Sequence, residues 1–392
     1  MISNIKYLVG DKKFSSDPLE PFSKQVCNFL SKFSNELNKT KNIRNLPDIK
    51  ALAFWCREKN ILNLKKRYNT SKNLIGLGLV FHITPSNIPT NFAYSLIFGL
   101  LSGNTNILKV PSKKFDEVDI ICIALKKTIE KIKFFKDRII IIQYKDNDLF
   151  TKYISSICDA RIVWGGDKTV NELRNFKLQE RSIDVAFADR YSLCFIDTNE
   201  LKKLNNFEMK NFVKKFYNDT YLIDQNACSS PHLIIWRGID DKNLKNKFWN
   251  NLYQLVKKEY NLTQQASIEK YTDLCKYIIS SNEIKKIHRY ENFIYRVELN
   301  NIDRNNHYYR GKWGLFFEYN LKKIDELKKI VNKKYQTLTY FGIESNLLRN
   351  FIIKNKLKGI DRIVPIGQSL DISLTWDGYD IISTLSRGIE IK

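Results

Sequence analysis

Cys228 stands in the segment Asp224-Gln225-Asn226-Ala227-Cys228-Ser229-Ser230-Pro231, just ahead of the apolar run His232-Leu233-Ile234-Ile235-Trp236. A thiol among short and polar side chains, at the entry to a buried strand, is accessible and fixed in position. A cysteine nucleophile needs both properties. The other six cysteines sit where a small buried hydrophobe would serve, as in Ile121-Cys122-Ile123 and Leu193-Cys194-Phe195. The plain alternative is an ordinary loop cysteine. The other chemistry-bearing segments bear on the choice.

Three loops carry groups suited to the same centre. Thr84-Pro85-Ser86-Asn87-Ile88-Pro89-Thr90 follows a short apolar run, and its two prolines hold the backbone extended and fix how Asn87 is presented. A rigidly held amide donates well to a developing oxyanion. The competing role is a helix cap before Asn91-Phe92-Ala93-Tyr94. Lys109-Val110-Pro111-Ser112-Lys113-Lys114 follows a second run. In a doubly wound sheet the ribose of a dinucleotide meets this place, and an acid there selects NAD through the 2′-hydroxyl. A basic loop with Lys109 and Ser112 instead favours a 2′-phosphate, hence NADPH, unless Lys109 is a plain surface lysine. Gly165-Gly166-Asp167 lies between another run and a helix beginning near Lys168. Glycines at such a turn let a cofactor approach the backbone, and the helix N-terminus favours phosphate. Asp167 serves equally as a cap and would repel phosphate, so Gly165 and Gly166 are expected to face the cofactor. The pair Gly76-Leu77-Gly78 lacks the third glycine of a dinucleotide fingerprint and precedes a strand, so it carries no weight.

Short β-rich runs must position these loops: residues 78–83, 106–110, 138–142, 160–164 and 192–196. Helix-length segments lie between them, such as 115–133 and 168–176. Continuous apolar strands alternating with helices describe a parallel sheet covered on both faces. Ligands bind such sheets beyond the carboxyl ends of the strands. The first 70 residues read as helical, with Val26, Phe29, Leu30 and Phe33 at i, i+3, i+4 and i+7. The expected architecture is α/β. A helical segment (1–70) precedes a doubly wound parallel-sheet cofactor domain (71–204). A second α/β catalytic domain carries the cysteine (205–358), and a turn-rich tail (359–392) packs back on the core.

At 392 residues and 43% hydrophobic content the chain is long enough for two globular domains. Seven cysteines without a Cys-x-x-Cys pair argue against a disulfide framework and a zinc knuckle, and four histidines argue against a histidine-rich metal centre. The start Met1-Ile2-Ser3-Asn4-Ile5-Lys6 has no signal-peptide apolar core, and the stretch from Phe92 to Leu101 is too short to span a bilayer. The chain reads as cytoplasmic. A net charge of +23 raises nucleic-acid binding as a function. Its distribution counts against that, because doublets such as Lys65-Lys66, Lys126-Lys127 and Lys257-Lys258 recur along the whole chain, without interleaved aromatics.

Taken together, the segments resemble the LuxC-type acyl-CoA reductases (fatty acid reductases) of the aldehyde dehydrogenase superfamily. The matching blocks are His82 through Thr90, Leu100-Leu101-Ser102-Gly103-Asn104 through Lys109, Val163-Trp164-Gly165-Gly166-Asp167 and Asp224 through Pro231. Tyr335 through Gly342, Arg362-Ile363-Val364-Pro365, Trp376-Asp377-Gly378-Tyr379-Asp380 and Leu385-Ser386-Arg387 complete them, in order to the end of the chain. The resemblance implies an aldehyde-dehydrogenase-like fold and the reduction of an acyl thioester by NADPH to an aldehyde, with release of the thiol carrier. It implies Cys228 as the nucleophile that forms an acyl-enzyme. Asn87 and the Cys228 backbone N–H would hold the oxyanion, Lys109 the adenosine ribose or its phosphate, and Gly165 and Gly166 the turn beside the pyrophosphate and nicotinamide. An acyl-protein synthetase partner and a homo-oligomer follow from the same likeness.

Hydrolytic members of the superfamily carry a glutamate base after the glycine turn. Here Asp184-Val185-Ala186-Phe187-Ala188-Asp189-Arg190 has Ala186 near that place, with Asp184 and Asp189 as the alternative acids. Without the base, water hydrolyses the acyl-enzyme slowly and hydride transfer competes. His232 is expected to face the core or a partner. An acyl-phosphate reductase forming a semialdehyde is the neighbouring alternative. A basic nucleic-acid-binding protein, indifferent to Cys228, is the alternative from another class.

Overall fold

All five side chains of the run Leu79–Ile83 are buried, as are all seven of Tyr191–Asp197. Strands without a solvent face belong to sheets covered on both sides, and the chain builds two. The computed structural model describes residues 5–68, 73–85, 87–145 and 147–392. It divides into two compact units, residues 1–188 with 374–392, and residues 189–373.

The first unit contains β1 (Lys6–Val9), β2 (Leu74–Gly76), β3 (Leu79–Ile83), β4 (Thr105–Val110), β5 (Ile139–Gln143), β6 (Ala160–Trp164) and β7 (Ile183–Phe187). Six of these make one sheet in the order β1-β5-β4-β3-β6-β7, parallel except for β1 against β5. The chain steps from β3 to one side for β4 and β5, then returns to the other side for β6 and β7. That reversal makes a topological switch point, and the loops after β3 and β6 open there. A buried polar chain ties the strands together. The Trp164 indole N–H donates to Ser95 Oγ (2.9 Å), which lies 2.7 Å from His82 Nδ1, while His82 Nε2 lies 2.9 Å from Asn106 Oδ1. Burial pushes the imidazole down to about 4, so His82 is neutral. Its Nε2 donates to the amide oxygen and its Nδ1 accepts from the serine.

The amphipathic stripe near the start forms the helix Lys24–Asn38, capped by Ser23, with Val26, Phe29, Leu30 and Phe33 buried. Two more helices, Pro47–Trp55 and Glu58–Arg67, follow it. The opening segment is less helical than expected, because β1 extends the sheet. A four-residue strand on a sheet edge has too short a pattern to separate from a loop.

The second unit holds β8 (Tyr191–Asp197), β9 (Pro231–Arg237), β10 (Ile284–Tyr290), β11 (Ile294–Leu299), β12 (Leu315–Leu321), β13 (Tyr335–Phe341) and β14 (Arg362–Pro365). Their order is β10-β11-β12-β9-β8-β13-β14, parallel except for β10 against β11. The run 192–196, expected in the first sheet, is thus β8 of the second. Apolar pattern fixes that a strand is buried but not which sheet it joins. Alternate residues serve opposite faces: Leu193, Phe195, Leu233 and Ile235 enter one core, and Cys194, Ile196, Ile234 and Trp236 the other. In the second core Glu318 accepts from the indoles of Trp236 (2.9 Å) and Trp249 (3.2 Å) and from Arg296 Nε (2.6 Å). Glu318→Ala should cost about 3 kcal/mol, since it leaves two buried indole N–H groups and Arg296 Nε without their acceptor, while Glu298 and Asn246 still hold the guanidinium. A urea-denaturation midpoint that moves by much less would show that water replaces the carboxylate.

The tail is divided. Its first part supplies β14 to the second unit. Its last part, in the first unit, adds β15 (Thr375–Trp376), β16 (Tyr379–Asp380) and β17 (Ser386–Gly388), which pairs with β2. The Asn104 amide donates to Leu385 O (2.8 Å) and fixes this return. No helix of the described residues is long and apolar enough to cross a membrane.

Candidate active site

The segment before β9 is tightly held around Cys228. After the short helical turn Tyr221–Ile223, Asp224 and Gln225 both take left-handed backbone angles (φ 56° and 59°). Two consecutive non-glycine residues in that region persist only where the surroundings over-determine them. Gln225 is 1% exposed, and its Nε2 donates to Pro231 O (3.0 Å) and Leu315 O (3.2 Å) while its Oε1 accepts from Gly314 N (3.2 Å). Ser192 Oγ, at the start of β8, donates to the Cys228 carbonyl (2.6 Å) and accepts from Thr337 N (3.1 Å). Ala227, Ser229 and Ser230 are buried, whereas Cys228 is half-exposed. The loop therefore presents its thiol from a fixed backbone, at the amino end of the strand in the middle of its sheet.

The other cysteines divide less simply than expected. Cys56, Cys122, Cys158 and Cys194 are buried, and burial pushes their thiols up, those of Cys122 and Cys158 to about 12. Such thiols stay protonated and inert. Cys27 and Cys275, by contrast, are half-exposed on helices, because an amphipathic helix has intermediate flanks that a strand core lacks. His232 is buried and stacked on Tyr191 (5.3 Å between ring centroids), and burial pushes it down to about 3. It is a neutral core residue.

In the first unit, Asn87 lies on the loop after β3, and Ser86 of that loop lies outside the described residues. The helix that follows, Asn91–Leu101, has Thr90 at its N-cap and no side-chain capping bond. Asn87 is exposed and its amide has no hydrogen-bond partner among the described residues. The capping role is therefore not the one it fills.

Lys109, the penultimate residue of β4, is half-buried, with Nζ 4.9 Å from the centre of the Tyr144 ring. Ser112 donates to Tyr144 O (3.0 Å). Its hydroxyl hydrogen staples the loop to the end of β5, which weakens the expectation that it donates to a phosphate. Lys113 and Lys114 remain exposed beside it. Beyond β6, Gly165 N donates to Phe187 O (3.2 Å), and Gly166 is the N-cap of the helix Asp167–Arg174. A Cβ on Gly166 would meet nothing within 4 Å. The turn is open at the positive end of this helix's dipole, and these residues fit the diphosphate of a dinucleotide. Trp164, stacked on Phe187 at 3.9 Å and bonded to Ser95, fixes where the turn begins.

Ala186 lies near the end of β7, beside Val163 of β6. Neither alternative acid is unengaged. Asp184 accepts from Arg161 Nε (3.1 Å) and Nη2 (3.0 Å), and Asp189 pairs with Arg310 (2.7 Å). Both carboxylates are thus committed to arginine partners. Gln225 and Ser192 were missed in the sequence. The glutamine stood three residues before the cysteine, but only the fold brings Gly314 and Leu315 to it.

A family model described as acyl-CoA reductase (LuxC) matches residues 57–387. A search of curated proteins gives no match. Solved aldehyde dehydrogenases share the fold. Lactaldehyde dehydrogenase from Escherichia coli superposes with a TM-score of 0.64 at 12% identity, covering 94% of this chain and 86% of its own. Aldehyde dehydrogenase 21 from Physcomitrella patens, in complex with its product succinate, gives 0.63 at 11%, covering 93% and 84%. Glyceraldehyde-3-phosphate dehydrogenase from Methanocaldococcus jannaschii, complexed with NADP, gives 0.62 at 12%, covering 93% and 88%.

Proposed function

The chain belongs to the acyl-CoA reductase (LuxC) family, and from that premise we propose that it reduces an acyl thioester to an aldehyde with NADPH through an acyl-enzyme on Cys228. The observation that carries this reading is the pinned loop before β9, which fixes a half-exposed thiol while four other thiols are buried. Cys228 Sγ attacks the thioester carbonyl, the bond from carbonyl carbon to carrier sulfur breaks, and the carrier leaves as a thiolate. The nicotinamide nucleotide supplies the hydride that reduces the acyl group. Collapse of the resulting tetrahedral species returns the Cys228 thiolate and frees the aldehyde. Asn87 donates its amide N–H to the oxygen that is negatively charged in both stages. Ala186 offers no base to activate water, and Asp184 is held in its ion pairs, so hydrolysis does not drain the acyl-enzyme.

Lys109, the N-terminus of the helix Asp167–Arg174 and the open Gly166 would hold the nucleotide. Lys109→Ala is expected to lower the NADPH-over-NADH ratio of kcat/KM about tenfold, the loss of one charge-assisted hydrogen bond. The same ratio should fall as salt is raised. Equal efficiency with the two nucleotides in the unaltered protein at low salt would defeat the assignment. The reaction is tested by trapping aldehyde from a panel of acyl-CoAs and acyl phosphates with NADPH. Aldehyde from acyl phosphates alone would replace the thioester reading.

A further inference from the structure

The thiol loop is not held by its own sheet alone. Gln225 joins it to the segment Trp313-Gly314-Leu315, and Trp313 N also donates to Asp224 O (3.2 Å). Trp313 and Gly314 have φ of 53° and 89°, so this second segment is itself bent into the left-handed region. Gly314 is there for space as well, since a Cβ would lie 2.2 Å from the Tyr221 hydroxyl oxygen and 2.4 Å from Phe293 O. Two strained segments bonded to each other need an outside brace.

That brace is a buried lysine. Lys270, on the helix Gln264–Ser280, is 1% exposed. Its Nζ donates to Trp313 O (2.8 Å), Phe293 O (3.2 Å) and Asn292 O, and stands 4.8 Å from the centre of the Tyr295 ring. Three carbonyl oxygens match the three hydrogens of an ammonium. Burial pushes the group down to about 7, and the neighbouring Arg289 acts the same way; the carbonyls oppose both. The Tyr221 hydroxyl donates to the same Phe293 carbonyl (3.1 Å) from the residue that begins the turn before Asp224. The β10–β11 turn, the 313–315 segment and the cysteine loop thus meet at one buried point.

We infer that Lys270 and Gln225 are positioning residues for the Cys228 thiol, the lysine fixing the 313–315 segment and the glutamine transmitting that geometry to the cysteine loop. This rests on the reading of Cys228 as the nucleophile. Lys270 Nζ bonds the carbonyls of Asn292, Phe293 and Trp313, so its effect on the Cys228 loop must pass through Trp313 and Gly314. A misplacement of about 1 Å costs a reacting pair on the order of 100-fold, while a loosened loop uncovers a half-exposed thiol to small reagents. The two reactions of one sulfur therefore move in opposite directions.

The test uses the full chain with Gln225→Met and Lys270→Met, and Gln225→Glu as the isosteric substitute if either fails to fold. Cys228 alkylation by iodoacetamide is followed by peptide mass spectrometry. Single-turnover acylation is followed with the acyl-CoA that the unaltered protein uses best. Each variant is expected to alkylate about threefold faster or more and to acylate roughly 10- to 100-fold slower, with the KM for NADPH unchanged. Variants that melt earlier but keep both rates at the unaltered values overturn the inference, since they make the bonds a matter of stability alone. If no acyl-CoA acylates the unaltered protein, the reading of Cys228 as nucleophile fails. The alkylation rates alone then decide whether the brace acts on the loop.

Discussion

Cys228→Ala is expected to abolish both acyl-enzyme formation and thioester-dependent NADPH oxidation, a loss of at least about 10⁴-fold in turnover. The size follows from the chemistry. Without the sulfur no covalent intermediate forms, and the remaining groups only bind and polarise. The loop should survive the change, because Gln225, Ser192 and main-chain bonds hold it. Cys122→Ala and Cys194→Ala provide the contrast. Both thiols are packed and protonated, so these variants should lose stability by the removal of a small buried side chain and keep their turnover per folded molecule. A Cys228→Ala protein that still accumulates an acyl adduct at the unaltered rate would move the nucleophile elsewhere.

Asn87→Ala is expected to lower turnover about 100- to 1000-fold, the cost of one preorganised donor at an oxyanion. The loss should appear in acylation and in hydride transfer alike, because the same oxygen bears the charge in both. Stability should move by no more than about 0.5 kcal/mol, since Asn87 is exposed and caps no helix. A capping residue would give the reverse pattern, about 1 kcal/mol of stability with turnover intact. Single-turnover kinetics and thermal unfolding on one sample separate the two.

The buried strands were readable from the sequence because an apolar run such as Leu79–Ile83 or Pro231–Trp236 has few other places to go. The two loops at the switch point followed from them, since proline and glycine mark where strands end. Sheet membership was not readable. Tyr191–Asp197 is as apolar as the strands of the first sheet, and only its pairing with β9 and β13 assigns it to the second. The edge strand Lys6–Val9 was too short to announce itself. At the site, residue type marked Cys228 and Asn87, but the groups that hold the thiol are distant in sequence. Lys270 reads as one more surface lysine in a chain carrying 65 lysines and arginines, and the fold alone puts it under three carbonyls. Ser112 is a related case: its hydroxyl suits a phosphate, and only the fold shows that it also bonds the Tyr144 carbonyl.

The central claim is that a thioester hands its acyl group to Cys228 before reduction. Intact-protein and peptide mass spectrometry of the unaltered chain, incubated with the acyl-CoA panel in the absence of nucleotide, tests it directly. One added acyl mass per chain is expected, mapped to the peptide holding Cys228 and discharged as aldehyde when NADPH is added. Aldehyde formation with no acyl mass on Cys228 at any time, or an adduct on another residue that NADPH discharges, would contradict it.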